Sequence, residues 1–226
     1  MQGTKKSETG EEPLEVAILD LKREPGDSFE LVRIDTSRGR IDCHYYRAEQ
    51  ADKGVIMVGG IGGGFDTPAE NLYPRLCVDL KKAGISSLRV SFRYPTDLTE
   101  AIVDVLVGLG FLKAENIRVF GLIGHSFGGA VVVQAAFNDM GIKTVVTLAT
   151  QSHGISPISL LPASTSVFLI HGEADETLPP SSSVYAYNLA HEPKKIKIYK
   201  NAGHGLKEVS DEVYAEVRNW IMDNLK

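Results

Sequence analysis

The sequence predicts an α/β fold: a mostly parallel central sheet with antiparallel N-terminal strands and helices on both faces. Three observations carry this reading. From Val55 onward, short aliphatic and β-branched runs alternate with helix-like stretches, the pattern of strands joined by crossovers. Before Val55 the segments alternate apolar and polar side chains, as half-exposed antiparallel strands do. The run Ile117-Arg118-Val119-Phe120-Gly121-Leu122-Ile123 leads straight into Gly124-His125-Ser126-Phe127-Gly128 and then Gly129-Ala130-Val131-Val132-Val133, a strand entering a helix at a serine corner.

The elements follow in order. Residues 1–12 read as a disordered polar tail and 13–226 as a single domain. Leu14 to Leu19 and Phe29 to Ile34 are expected as edge strands. Ser37-Arg38-Gly39-Arg40 turns the second of these into Ile41 to Tyr46, so a hairpin opens the domain. Val55-Ile56-Met57-Val58 is a buried strand that delivers the loop Gly59-Gly60-Ile61-Gly62-Gly63-Gly64-Phe65-Asp66. Thr67-Pro68-Ala69-Glu70 combines an N-cap residue, proline at the first helical position and a capping-box glutamate, so a helix is expected from there to the stop at Gly84. Ser87 to Phe92 is the next strand. Asp97 caps a helix with Ile102, Val105, Leu106 and Leu109 on its buried face. The helix after Ser126 is apolar nearly all round, which places it at the centre of the fold. Thr144 to Ala149, Val167 to Ile170 and Lys195 to Tyr199 are further strands, and a final helix carries Leu206, Val209, Val213, Val217, Trp220, Ile221 and Leu225 at three- and four-residue steps.

Composition excludes several function classes. In 226 residues, 43% are hydrophobic and 23% charged, ordinary values for a globular chain, and a net charge of −5 supplies no basic field for nucleic acid. Lys194, Lys195, Lys197 and Lys200 alternate with Ile196 and Ile198, the signature of an edge strand protected against sheet-to-sheet association. Cys43 and Cys77 have neither disulfide nor zinc spacing and are expected as packing residues. The chain shows no integral membrane segment and no signal-like N-terminus, so a cytoplasmic protein is expected. Among the 6 histidines there is no H-E-x-x-H and no pair four apart, so no metal site is expected. Residues 59–67 fit neither G-x-G-x-x-G nor G-x-x-x-x-G-K-[ST], which argues against a phosphate cradle. Nothing in the sequence sets the oligomeric state.

The chemistry-bearing residues come in one chain order. Ser126 stands in G-x-S-x-G between a strand and a helix. Asp175 follows the strand that ends at His171-Gly172, within His171-Gly172-Glu173-Ala174-Asp175-Glu176-Thr177-Leu178-Pro179. His204 lies between glycines in Asn201-Ala202-Gly203-His204-Gly205, after the next strand. Asp66, Glu173 and Glu176 are alternative carboxylates on spacing alone. This order of motifs resembles the α/β-hydrolase family, in particular its small, lid-less serine esterases and lipase-like members. The resemblance runs from about Val55 to the C-terminus. It implies Ser126 as nucleophile, His204 as general base, and Asp175, the position matching H-G-x-x-D-x-x-P, as the acid that orients the imidazole. It also implies an oxyanion hole from the backbone N–H groups of Phe127 and Ile61, although Gly59-Gly60 replaces the His-Gly pair of many members.

The activity so implied is hydrolysis of small or short-acyl carboxylesters through an acyl-enzyme, without a cofactor, on a small-molecule ester substrate. Thioesters and peptide-like amides are neighbouring substrates, and a binding or interaction protein with slow or no turnover is the rival from another class. Dehalogenases carry a carboxylate at position 126 and dienelactone hydrolases a cysteine, so the serine departs from both. Residues 150–166 are too few for a multi-helix cap, which favours small or blunt substrates. An apolar pocket is expected near Gly60, Ile61, Phe65, Phe127, Leu160, Leu161, Leu178 and Leu206, with His153 at its edge. His125 and His171 are expected as packed structural histidines, and Arg93 as a partner of Asp66 that fixes the glycine loop. A histidine base implies activity rising through about pH 6 to 7.

Overall fold

Aliphatic runs without polar alternation suit strands covered on both faces, and the computed structural model places them at the middle of a nine-stranded sheet. It describes residues 15–137 and 139–226, so the tail expected at 1–12 lies outside the described residues. The strands are β1 (Ile18–Pro25), β2 (Glu30–Thr36), β3 (Gly39–Tyr46), β4 (Lys53–Val58), β5 (Ile85–Val90), β6 (Val119–His125), β7 (Ile142–Leu148), β8 (Ser166–Gly172) and β9 (Lys194–Tyr199). Their spatial order is β1-β2-β3-β5-β4-β6-β7-β8-β9, antiparallel from β1 to β5 and parallel from β5 to β9. Helices α1 (Leu72–Lys82) and α5 (Ser210–Asn224) cover one face. On the other lie α2 (Leu98–Ala114), α3 (Phe127–Ala136) and α4 (Ser181–Leu189). The sheet is mostly parallel with antiparallel N-terminal strands, as the patterning predicts.

After β4 the chain moves to β5 on one side, then returns across it to β6 on the other. That reversal opens a crevice beyond the C-terminal ends of β4 and β6, where open α/β sheets place their ligands. The lysine-bearing β9 is the sheet's outer edge, as its charge pattern requires.

Several boundaries differ from expectation for physical reasons. β1 begins at Ile18, after Glu15 to Ala17, while Leu14 of the expected strand lies outside the described residues, and β5 ends at Val90 rather than Phe92. Helix α1 begins at Leu72, not after Thr67, because Ala69, Glu70 and Asn71 all take left-handed backbone angles. The buried Ala69 N–H donates to the Gly205 carbonyl at 2.7 Å, a tertiary bond that pulls this stretch off the helical path. The Thr67 hydroxyl still accepts a backbone bond, at 3.0 Å from the Tyr73 N–H. Gly84, at φ +77°, ends the segment as predicted.

The Asp97 side chain caps α2 through the Glu100 N–H at 3.0 Å. Leu106, expected on the buried face, is 44% exposed, because α2 packs on the sheet and on α3 through Ala101, Val105, Leu109 and Leu112 instead. Helix α4 has no apolar stripe and buries only Ser182, Ser183 and Ala186. Its one sequence-level signal is topological, since parallel β8 and β9 need a crossover between them.

Arg93 does not reach Asp66. Its guanidinium binds Asp104, Glu100 at 2.8 Å and the Arg38 carbonyl, while its N–H donates to Asp104 at 2.9 Å. The chain turns at the end of β5 onto α2, whose two carboxylates are closer than the exposed Asp66. The glycine loop is held instead by Arg89, whose guanidinium donates to the Phe65 carbonyl. Cys43 and Cys77 are buried and unpaired. Among the described residues no helix is long and apolar enough to cross a membrane, and no cluster of side chains could hold a metal ion.

Candidate active site

The corner between β6 and α3 is built by close backbone approach. A Cβ at Gly124 would stand 2.1 Å from the Gly128 carbonyl oxygen, and one at Gly128 would stand 2.2 Å from that of Gly59. Only glycine fits at either place, which explains the spacing around Ser126. Ser126 itself lies at φ 57°, ψ −120°, a conformation unfavourable for a residue with a side chain. Its N–H donates to the Leu148 carbonyl at 2.8 Å, and this anchors the corner to β7. The hydroxyl sits at the N-terminus of α3, where the helix dipole favours negative charge.

His204 reaches this hydroxyl from the loop after β9. That loop is laced to the end of β8: the Glu173 N–H donates to the Tyr199 carbonyl at 2.8 Å and the Ala174 N–H to that of Ala202 at 3.0 Å. At Gly172 a Cβ would meet the Ala202 carbonyl at 2.1 Å, so the glycine of the H-G pair lets the two segments touch. The His204 Nε2 lies 3.0 Å from Ser126 Oγ, and its Nδ1 lies 2.8 Å from Asp175 Oδ2. Because the carboxylate can only accept, Nδ1 carries the proton and Nε2 presents its lone pair to the serine hydroxyl. The imidazole is 22% exposed, while the Asp175 side chain is fully buried.

Asp175 accepts from four donors. The N–H groups of Thr177 and Leu178 reach Oδ1 at 2.8 and 2.9 Å, and the two imidazoles of His204 and His171 reach Oδ2. Burial pushes its pKa up, but the bonds from Leu178, His204 and Thr177 together outweigh this and hold it below the usual value. His171, one of the two histidines expected to be merely packed, lies 3.0 Å from this carboxylate.

His125 also touches the array. Its Nε2 lies 3.1 Å from the His204 carbonyl and therefore carries the ring proton, while Nδ1 is buried without a partner among the described residues. Burial pushes the His125 pKa down to about 4, against the opposing effect of the His204 carbonyl. An unfolded histidine titrates near 6.5, so between these values the unfolded chain binds more protons, and stability falls as pH falls. Lowering the pH from 7 to 5 is expected to destabilise the fold by about 2 kcal/mol through His125. His44 shifts the same way, also to about 4 by burial, with Arg89 adding to it. Calorimetry across this range checks the expectation, and an unchanged melting temperature would contradict it.

The glycine loop lies over the corner, where a Cβ at Gly60 would stand 3.2 Å from Ser126 Cβ. Neither the Ile61 nor the Phe127 N–H has an acceptor among the described residues. Both residues line a cleft of about 580 Å³ with Thr96, Asp97, Leu98, Gln151 and His153. A second groove, about 650 Å³, runs from the other side of His153 along Ser152, Pro179, Ser181, Ser182 and Tyr185. The lining is therefore mixed rather than apolar, since Thr96, Asp97 and Gln151 enter it from loops whose spacing shows no motif.

The remaining expected pocket residues lie elsewhere. Leu161 and Leu206 are buried in the two cores, and Leu160 is exposed on the short 3-10 turn Ser156–Leu160. Leu178 serves through its backbone. Phe65 stacks on His44 with ring centroids 3.5 Å apart. Residues 150–165, up to the start of β8, hold only that turn, pinned by buried Ile155 and Ile158 and by a bond from Gln134 to the Gly154 carbonyl at 2.8 Å. A surface groove of about 1060 Å³ lies by Glu49, Gln50 and Lys82 at the opposite end of β4 and β5.

The architecture is shared with solved structures of low sequence identity. A dienelactone hydrolase from Anabaena variabilis matches with a TM-score of 0.75 and 16% identity, over 91% of this chain and 99% of that one. An α/β serine hydrolase without lid from Xanthomonas campestris matches at 0.69 and 18%, over 94% and 96%. An esterase domain from Rhodothermus marinus matches at 0.70 and 15%, over 92% and 100%. No curated protein sequence matches the chain. The profile of the dienelactone hydrolase family matches residues 69–220, a span that contains Ser126, Asp175 and His204. The chain therefore belongs to the dienelactone hydrolase family of α/β hydrolases, which corrects the expectation that its serine sets it apart: Ser126 is a departure within the family, not from it.

Proposed function

We propose that the protein is a serine carboxylester hydrolase acting on small or short-acyl esters. The observation that carries this reading is the unbroken run of bonds from Ser126 Oγ through His204 to Asp175, at 3.0 and 2.8 Å. His204 Nε2 takes the hydroxyl proton as Ser126 attacks the ester carbonyl, then gives it to the leaving alcohol. Asp175 holds the productive tautomer and stabilises the imidazolium. Negative charge developing on the carbonyl oxygen is received by the N–H group of Phe127 at the start of α3 and that of Ile61 on the glycine loop after β4. Water then enters by the same route and releases the acid. The nucleophile is a hydroxyl rather than a thiol, and neither Cys43 nor Cys77 is near the surface.

The short segment between β7 and β8 supports the preference for small substrates, because it contributes a single 3-10 turn and no helical cap. Treatment with a fluorophosphonate, followed by peptide mass spectrometry, tests the proposal. A single adduct on Ser126 is expected, with loss of p-nitrophenyl acetate turnover in proportion to labelling. Equal labelling of Ser126→Ala would overturn it.

A further inference from the structure

We propose that His171 is a positioning residue for this reaction: through Ser183 it is locked in the tautomer that donates to Asp175, so that the carboxylate is held between two imidazoles. The inference rests on the serine-hydrolase reading above and extends the array by two residues beyond the acid.

The argument begins with the backbone. His171 is the penultimate residue of β8, and Ser183 sits in the first turn of α4, the helix that follows the Asp175 loop. Both side chains are fully buried. The His171 Nε2 faces two acceptors, Asp175 Oδ2 at 3.0 Å and the Leu178 carbonyl at 3.1 Å, so that nitrogen must carry the proton. Its Nδ1 is then a lone pair, and it lies 2.7 Å from Ser183 Oγ, whose hydroxyl donates to it. Every hydrogen-bonding position of the ring is thus filled in one sense only. Burial keeps the ring neutral, in spite of the adjacent carboxylate.

The consequence is geometric and electrostatic. Oδ2 of Asp175 is the atom that both imidazoles share, so the His171 donor fixes where the carboxylate oxygen stands when His204 binds it. It also draws off part of the negative charge that His204 senses. The titratable groups facing the array are few. From β6, His125 lies with its ring 4.9 Å from that of His204, and Asp66 on the glycine loop acts on His125; from the β8 loop comes Asp175 itself. Among the described residues, only the two imidazoles bond the carboxylate from side chains.

Three variants test the idea. His171→Leu removes the donor, and kcat is expected to fall about 10- to 100-fold with KM little changed, the range for losing one bond to a charged group. The midpoint of the kcat/KM pH profile is expected to move upward, because the less shared carboxylate favours the His204 imidazolium. His171→Gln places an amide N–H where Nε2 stood and is expected to recover much of the rate and return the midpoint. Ser183→Ala frees the tautomer and is expected to lower kcat a few-fold with the same direction of midpoint shift.

Thermal melting of each variant accompanies the kinetics. If His171→Leu unfolds, the Gln and Ser183→Ala variants still decide the matter. A glutamine variant as slow as the leucine one, or a folded Ser183→Ala variant with unchanged rate and pH profile, would overturn the role. Fluorophosphonate labelling of Ser126 in the wild type separates this failure from failure of the hydrolase reading, since His171 variants leave that adduct in place.

Discussion

Exchange of His204 for alanine is expected to lower kcat for p-nitrophenyl acetate by about six orders of magnitude, the loss seen when a serine hydrolase's base is removed alone. Among the described residues the imidazole is the sole group that bonds Ser126 Oγ and can take its proton. The same substitution is expected to leave the fold intact. The His204 ring is partly exposed and fills no core, and its carbonyl, which receives the His125 bond, is retained. A variant that keeps a tenth of the turnover while melting at the wild-type temperature would remove His204 from the reaction.

The second large effect lies away from the chemistry. Asp104→Ala is expected to destabilise the protein by about 3–5 kcal/mol, because it strands a buried guanidinium. Asp104 is fully buried and Arg93 nearly so, and the carboxylate takes both the Arg93 backbone N–H and its side chain. Burial lifts the Asp104 carboxyl above the usual range even beside Arg93, which marks how far this pair has been taken from water. Glu100, the other partner of Arg93, sits near the surface and is shared with Arg38. For a chain of this size each kcal/mol corresponds to about 2–4 °C, so a drop of about 10 °C in melting temperature is expected in calorimetry. A change within 2 °C would show the pair to be dispensable. Esterase kinetics at low temperature should be little altered, since Arg93 does not hold the glycine loop.

The sequence made some features legible because they follow from local chemistry. Parallel strands covered on both faces read as continuous aliphatic runs, and Ser126 and Asp175 each follow such a run, while His204 follows the alternating edge strand β9, so topology brings all three to one end of the sheet. Gly124 and Gly128 are legible for the same reason, since close backbone approach admits no side chain. Other features depend on partners distant in the chain. Helix α4 hides because its buried side are serines and an alanine. The start of α1 is moved by a bond to Gly205, more than a hundred residues on. Arg93 and Arg89 could exchange roles on adjacency alone, and only the packing of α2 against the end of β5 decides between them. His171 looked like a strand terminus because nothing in H-G-x-x-D says that the ring turns back toward the aspartate. The cleft was least legible, because its lining comes from loop residues with no periodicity.

One consequence of the Ser126 corner extends beyond the reaction. A residue with a side chain in that backbone region gives up about 1–3 kcal/mol, against a total stability of about 5–15 kcal/mol for an ordinary domain. A glycine there would relax the turn, so the best-folding version of this chain is not the one that carries a hydroxyl. On the proposed reading, position 126 is where thermodynamic optimum and usefulness part company, and stabilising redesign guided by fold alone would erase it first.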